Sequence, residues 1–379
     1  MNTENLQGDL LLTTGGRELR FPAVWLRDNC PCAQCRDPGS GQKYHDITDL
    51  PPEVAVETVR EDGDGVLVTF APDRHRSEFS RRWLATHALE DHGGDDGDGD
   101  GRTEDDKELW LPPDLAGRQP EVSWPRYLAD PAEQIRALDA VLRLGFVLLA
   151  DVPADPGMVL QVAASFGYVR ETNYGTLFDV RVEPAPGNLA FTSRQILPHT
   201  DNPYRDPVPT VQLLHCLRTA ADGGDTGLVD GFAAAAELRA TGREAFDILT
   251  ATAVPFGYID KETELRASQP LIQLGPRGRV RGVRFNNRSA QPVRLPYRDI
   301  APFYSAYRRW AALLARPERQ LNLRLRPGDC LVFDNTRILH ARTAFAMSAD
   351  SPGRHLQGCY ADLDGLASAR AVLKRGETP

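Results

Sequence analysis

The chain has 379 residues, of which 41% are hydrophobic and 26% charged, and its formal net charge is -9. Those proportions describe one or two ordinary globular domains, and the negative charge argues against a nucleic-acid partner, which wants a basic face. No apolar run is long enough to span a bilayer, so no membrane partner is expected.

The N-terminus lacks the basic and apolar regions of a signal peptide, so the protein is expected to be cytoplasmic. Its six cysteines are then thiols or metal ligands before they are disulfides. Residues 9 to 26 read as two short strands around Gly15-Gly16, ending in Val24-Trp25-Leu26. Next come Cys30, Cys32 and Cys35, too tightly spaced to pair comfortably with one another. Their sulfurs can converge on one tetrahedral ion, and a Cys3His site needs one more ligand. His75 is the preferred candidate; His45 is nearer in sequence and competes with it. The plain alternative is three reduced loop thiols. With no room for an open position, such a zinc would be structural.

Val66 to Phe70 is a plausible strand and Glu78 to Leu89 a short helix. Residues 90–107 then alternate Asp and Gly. No flanking helix pair or closing glutamate makes them a calcium loop, so they read as a solvated, flexible insertion. These features define an N-terminal α+β zinc-binding domain over residues 1–112. A second domain follows over 125–379, beyond a Pro- and Gly-containing stretch.

Asp130-Pro131-Ala132-Glu133 is a helix start, and Ile135, Leu138, Val141 and Leu142 form an apolar stripe that ends at Gly145. Strands are expected at 146–149, 188–192, 210–217, 227–231, 280–285, 321–325, 330–333 and 354–360. Helical patterns interrupt them at 233–251 and 297–315. Many strands with two helical inserts fit a mainly β, double-stranded β-helix (a jelly roll) better than a doubly wound α/β fold.

His199-Thr200-Asp201 places an imidazole and a carboxylate one residue apart, and His340 follows after enough chain to cross a β-sandwich and return. Two imidazoles and one carboxylate make the facial triad of non-haem Fe(II) oxygenases, with open positions opposite. Arg354 lies 14 positions beyond His340. A guanidinium there can clamp a carboxylate bidentately near the metal, as 2-oxoglutarate requires. His215, in Leu213-Leu214-His215-Cys216, reads as a core histidine.

Several stretches together resemble the γ-butyrobetaine dioxygenase branch of the 2-oxoglutarate-dependent oxygenases over nearly the whole chain. They are Trp25 to Cys32, His75 to Phe79, His199-Thr200-Asp201, Gly223 to Phe232, Phe285-Asn286-Asn287 and Tyr360-Ala361-Asp362. The resemblance implies a homodimer, zinc on Cys30, Cys32, Cys35 and His75, and Thr226 beside Arg354 at the co-substrate. It implies hydroxylation of a small trimethylammonium substrate with Fe(II), 2-oxoglutarate and O2, succinate and CO2 as coproducts, and ascorbate as reductant in an assay. It also implies an aromatic cage for the cation at Tyr174, Phe178, Phe191 and Tyr360, since ring faces attract a cation that cannot donate hydrogen bonds.

Asn188, Asn202 and Asn287 are the matching donors for the substrate's anionic end. Asn202 stands where γ-butyrobetaine enzymes carry tyrosine, and Arg288 is an added guanidinium. Both suit a bulkier tetrahedral anion and resemble the bacterial 2-(trimethylamino)ethylphosphonate dioxygenases of the same branch. γ-Butyrobetaine is the alternative substrate. Trimethyllysine carries an α-amino cation that Arg288 would repel. A non-catalytic sensor would keep the fold but lose a ligand, and none is missing.

Overall fold

The computed structural model describes residues 2–14, 17–87, 107–182, 192–220, 222–276, 278–345 and 353–376. Asn188, Phe191, the acidic stretch 90–106 and most of the strand expected at 188–192 lie outside them. The chain divides into two compact units, Met1–Asp96 and Gly97–Pro379. No described helix is long and apolar enough to cross a membrane.

The first unit contains two three-stranded antiparallel sheets, Asn2–Leu6, Asp9–Thr14 and Arg17–Phe21, then Ala55–Asp62, Gly65–Ala71 and Arg76–Ser80. Leu10, Leu12, Phe21, Leu26, Val66, Val68, Phe70 and Phe79 share one core. Val24-Trp25-Leu26 is not strand, as expected from sequence, but part of the helix Ala23–Asp28. Pro22 sets its start, and Leu26 turns inward while Val24 stays exposed. The helix expected from Glu78 begins only at Arg81, because Ser80 ends the strand and its hydroxyl accepts from the Trp83 amide as N-cap.

The second unit is a jelly roll with helical inserts. Its smaller sheet runs in the order Ile196–His199, Ile338–Arg342, Thr226–Asp230, Leu321–Leu323. The larger has the order Glu121–Ser123, Phe146–Ala150, Cys330–Asp334, Val211–Arg218, His355–Ala361, Phe178–Arg181. Strand alternation separates two cores. Phe146, Leu214, Leu228, Leu331, Phe333, Ile338 and Leu356 meet between the sheets. Val147, Leu149, Leu213, Val332 and Cys359 point the other way, onto helices that include Pro131–Leu144 and Leu363–Lys374. Trp110 and Leu115 are buried in the inter-sheet core, so the stretch expected to be a linker belongs to this unit.

The helical insert expected at 233–251 is two helices, Gly231–Thr241 and Arg243–Ala251, broken at Gly242. They pack with Tyr297–Leu314 and the hairpin Ala253–Ile259/Glu264–Pro270 around a third core. That hairpin was not expected from the sequence.

Candidate active site

His199 closes its strand and stands directly opposite His340 in the antiparallel pairing. The two rings lie 4.2 Å apart between centroids. His199 Nε2 is 3.4 Å from Asp201 Oδ1. One ligand atom from each of His199, Asp201 and His340 falls within 4.8 Å of the other two, so the trio can hold a metal. His199 Nδ1 donates to the Leu197 carbonyl at 2.9 Å, which leaves Nε2 unprotonated for a ligand. Burial, and then the neighbouring His199 ring and Arg288 guanidinium, push His340 down to about 3 against the opposing pull of Asp201, so its imidazole is neutral at pH 7. Burial alone would raise Asp201. The neighbouring His340 and His199 and the Tyr360 hydrogen bond outweigh it and hold the carboxyl well below the usual carboxylate range.

The loop bearing Asp201 is tied down from both sides. Asn335 accepts from the Asp201 amide at 2.8 Å and donates to its carbonyl at 3.0 Å. Thr200 exchanges backbone and hydroxyl bonds with Phe285, and Asn286 Nδ2 donates to the Thr200 carbonyl. Arg284 donates to the carbonyls of Pro203 and Arg205.

These residues open onto a cavity of about 440 Å³. Arg354 lines it, buried, with Nη2 3.3 Å from the Thr226 hydroxyl. Gly224, at φ +73°, makes room for it, because a Cβ there would sit 3.0 Å from Arg354 Cδ. Arg342 lines the same wall, opposite Thr226 in the strand pairing, and donates to the carbonyls of Thr192 and Arg194. Burial pushes both guanidiniums down to about 10. Arg288 and Asn202 line the cavity as well. Asn202 is buried at φ +53°, and neither atom of its amide has a hydrogen-bond partner among the described residues.

Tyr174, Phe178, Tyr204, Tyr258 and Tyr360 form the aromatic wall. Phe178 lies 5.1 Å from the Tyr360 ring and Tyr174 5.8 Å from Tyr258. Gly358, paired with Phe178 across the strands, lets that ring lie against the backbone, since a Cβ would approach it to 2.5 Å.

Asn287, expected among the anion donors, is outside this lining. Its side chain is exposed and accepts from the Tyr307 hydroxyl at 2.9 Å. The neighbouring Asn286 faces the cavity instead. Tyr204, Tyr258, Gln212, Asn286 and Arg342 were not anticipated. Arg342 had a signal, because a strand of period two puts it on His340's face. Gln212 had one too, as a polar residue in period-two register with the apolar Leu214 and Cys216 of the same strand. His215 points away from the cavity and is fully buried, as expected of a core histidine.

In the first unit, His75 Nε2 lies 3.3, 3.6 and 3.5 Å from the sulfurs of Cys30, Cys32 and Cys35. Tetrahedral zinc with ordinary Zn–S and Zn–N bonds separates such ligands by roughly 3.5 Å, so the donor set fits. His45 is beside Asp28 instead, at 3.5 Å.

A jelly roll whose cavity joins two histidines and a carboxylate to a buried arginine has the architecture of the 2-oxoglutarate-dependent oxygenases. Residues 110–360 match the taurine catabolism dioxygenase TauD, TfdA family, and residues 11–85 match the γ-butyrobetaine hydroxylase-like N-terminal family. The chain is 35% identical to the γ-butyrobetaine dioxygenase of Pseudomonas sp. (strain AK-1), over 95% of this chain and 92% of that one. Human γ-butyrobetaine dioxygenase is 30% identical, over 94% of this chain and 92% of its own. Trimethyllysine dioxygenase of Meyerozyma guilliermondii is also 30% identical, with coverages of 96% and 93%. The chain belongs to the TauD, TfdA dioxygenase family, among its γ-butyrobetaine hydroxylase-like members, and is an enzyme of the 2-oxoglutarate-dependent dioxygenase class.

Proposed function

We propose that the enzyme hydroxylates a small trimethylammonium substrate that carries an anion at its other end. The observation that carries this reading is the single cavity in which five aromatic rings face the His199–Asp201–His340 cluster, with Arg288 and Asn202 on the same lining. The relatives named for γ-butyrobetaine and trimethyllysine support the cationic half of the substrate.

His199, Asp201 and His340 would hold Fe(II), and Arg354 with Thr226 would hold the far carboxylate of 2-oxoglutarate. Bound iron supplies O2 activation, in which one oxygen atom goes to a substrate C–H as hydroxyl and the other to 2-oxoglutarate, which becomes succinate and CO2. Tyr174, Phe178 and Tyr360 attract the trimethylammonium group through their ring faces, and Tyr204 and Tyr258 extend that wall. Arg288 and Asn202, on the same lining, would draw the anion, and the protein's contribution is to position a substrate C–H near the metal ligands. Cys30, Cys32, Cys35 and His75 would carry a structural zinc. The functional assembly in this reading is a homodimer in the cytoplasm.

The finer preference is for 2-(trimethylamino)ethylphosphonate. It rests on Arg288, whose guanidinium lines the cavity and has no hydrogen-bond partner among the described residues. γ-Butyrobetaine is the second reading, favoured by the named relatives. The deciding assay measures succinate with Fe(II), ascorbate and 2-oxoglutarate against each compound. Arg288→Ala removes charge-assisted bonds worth about 1.5–3 kcal/mol and should cut kcat/KM for the phosphonate roughly 10- to 150-fold. Equal turnover of the phosphonate by wild type and variant rejects the phosphonate reading. Turnover of neither compound rejects the substrate class.

A further inference from the structure

Asp201 offers two carboxylate oxygens, and the structure treats them differently. Oδ1 faces His199 Nε2. Oδ2 accepts two hydrogen bonds, from Gln212 Nε2 at 2.8 Å and from the Tyr360 hydroxyl at 2.9 Å. The two donors are direct cross-strand partners on the larger sheet. The metal centre is therefore framed by two cross-strand pairs, His199 with His340 on the smaller sheet and Gln212 with Tyr360 on the larger.

The amide orientation of Gln212 follows from chemistry. An ionised carboxylate only accepts, so Nε2 must be the atom that meets it. That leaves Oε1 as an acceptor on a side chain that is 1% exposed and lines the cavity, and Oε1 has no hydrogen-bond partner among the described residues. Burying an amide without using both ends is unfavourable, and a leucine would fill an inward strand position without that penalty. The structural neighbours use such positions in that way: Leu214 and Leu356 occupy inward positions on the same two strands.

We infer that Gln212 is a positioning residue of the metal centre. Together with Tyr360 it occupies Asp201 Oδ2, so the carboxylate presents one oxygen, Oδ1, and the remaining positions stay available to co-substrate and O2. Its Oε1 faces the cavity as an acceptor for a hydroxyl or water held there. Tyr360 then has two duties, because its ring belongs to the aromatic wall while its hydroxyl fixes the ligand. This inference rests on the iron reading above.

The test is an anaerobic titration of the full chain with Fe(II) in the presence of 2-oxoglutarate. The visible charge-transfer band of their complex is followed in wild type, His340→Ala, Gln212→Met and Tyr360→Phe. Far-UV circular dichroism and Tm establish that each is folded. Outer partners of metal ligands are typically worth 10- to 100-fold in metal affinity. We expect Gln212→Met to weaken Fe(II) binding by that factor and to shift the band, with Tm near the wild-type value. Tyr360→Phe should weaken binding in the same range, which keeps the inference testable if the Gln212 variant does not fold. Unchanged affinity and an unchanged band in either folded variant overturn the inference. A wild-type protein with no band, or a band that survives His340→Ala, overturns the iron reading instead.

Discussion

Arg354→Met tests whether the buried guanidinium is there for an anion. The side chain is 7% exposed, and burial pushes its pKa from the ordinary 12.5 down to about 10. A shift of that size is roughly 3 kcal/mol against the charged form. The sign is fixed: the folded pKa is depressed, so the cost is present at every pH below about 10, including pH 7. Methionine keeps the length and removes the charge. Loss of the Thr226 hydrogen bond offsets about 1 kcal/mol of the gain. The ligand-free variant should therefore be more stable than wild type by about 2 kcal/mol, or roughly 4–8 °C in Tm. 2-Oxoglutarate at 100 times its Kd should stabilise the wild type by about 2.7 kcal/mol and leave the variant unmoved. Thermal unfolding with and without 2-oxoglutarate reads both effects. A variant less stable than wild type in the absence of ligand, or one that keeps the full 2-oxoglutarate shift, would refute the reasoning.

Two further outcomes are expected. Arg337 is fully buried, pairs with Asp230 at 2.8 Å and donates to the carbonyls of Arg143 and Glu108, while Asp230 caps the helix that follows it. Arg337→Met strands that carboxylate and should cost about 3–5 kcal/mol in urea unfolding, and a loss under 1 kcal/mol would show that the cluster relaxes without it. Cys30→Ser should release one zinc per chain by elemental analysis and unfold the first unit, seen through Trp25 and Trp83 fluorescence. Structural zinc contributes about 10–16 kcal/mol, as much as the whole stability of a typical domain. Full retention of zinc by the variant, or none in the wild type, contradicts the assignment.

The parts of this protein that were legible along the chain are those set by local chemistry. The Asp130–Pro131 start and Gly145 stop of one helix follow from capping and φ preferences, and Asp130 does accept from the Ala132 amide. Most strand segments of the jelly roll carry their apolar runs openly. His199, Asp201, His340 and Arg354 stood out because few other roles suit such residues at that spacing. The preference for His75 over His45 was made on the sequence and supported by family likeness, and the sulfur distances agree with it.

What escaped the sequence depends on contacts between distant segments. The register that sets His199 opposite His340, and Gln212 opposite Tyr360, is a property of paired strands and cannot be read from either one. Asn286 and Asn287 are chemically identical neighbours, and only the path of the backbone past Thr200 turns the first inward and the second toward Tyr307. Tyr204 and Tyr258 reach one wall from a loop and a hairpin more than fifty residues apart, their rings 5.1 Å from each other. Residue type therefore announced the candidate metal ligands, while strand register and loop paths chose the side chains that surround them.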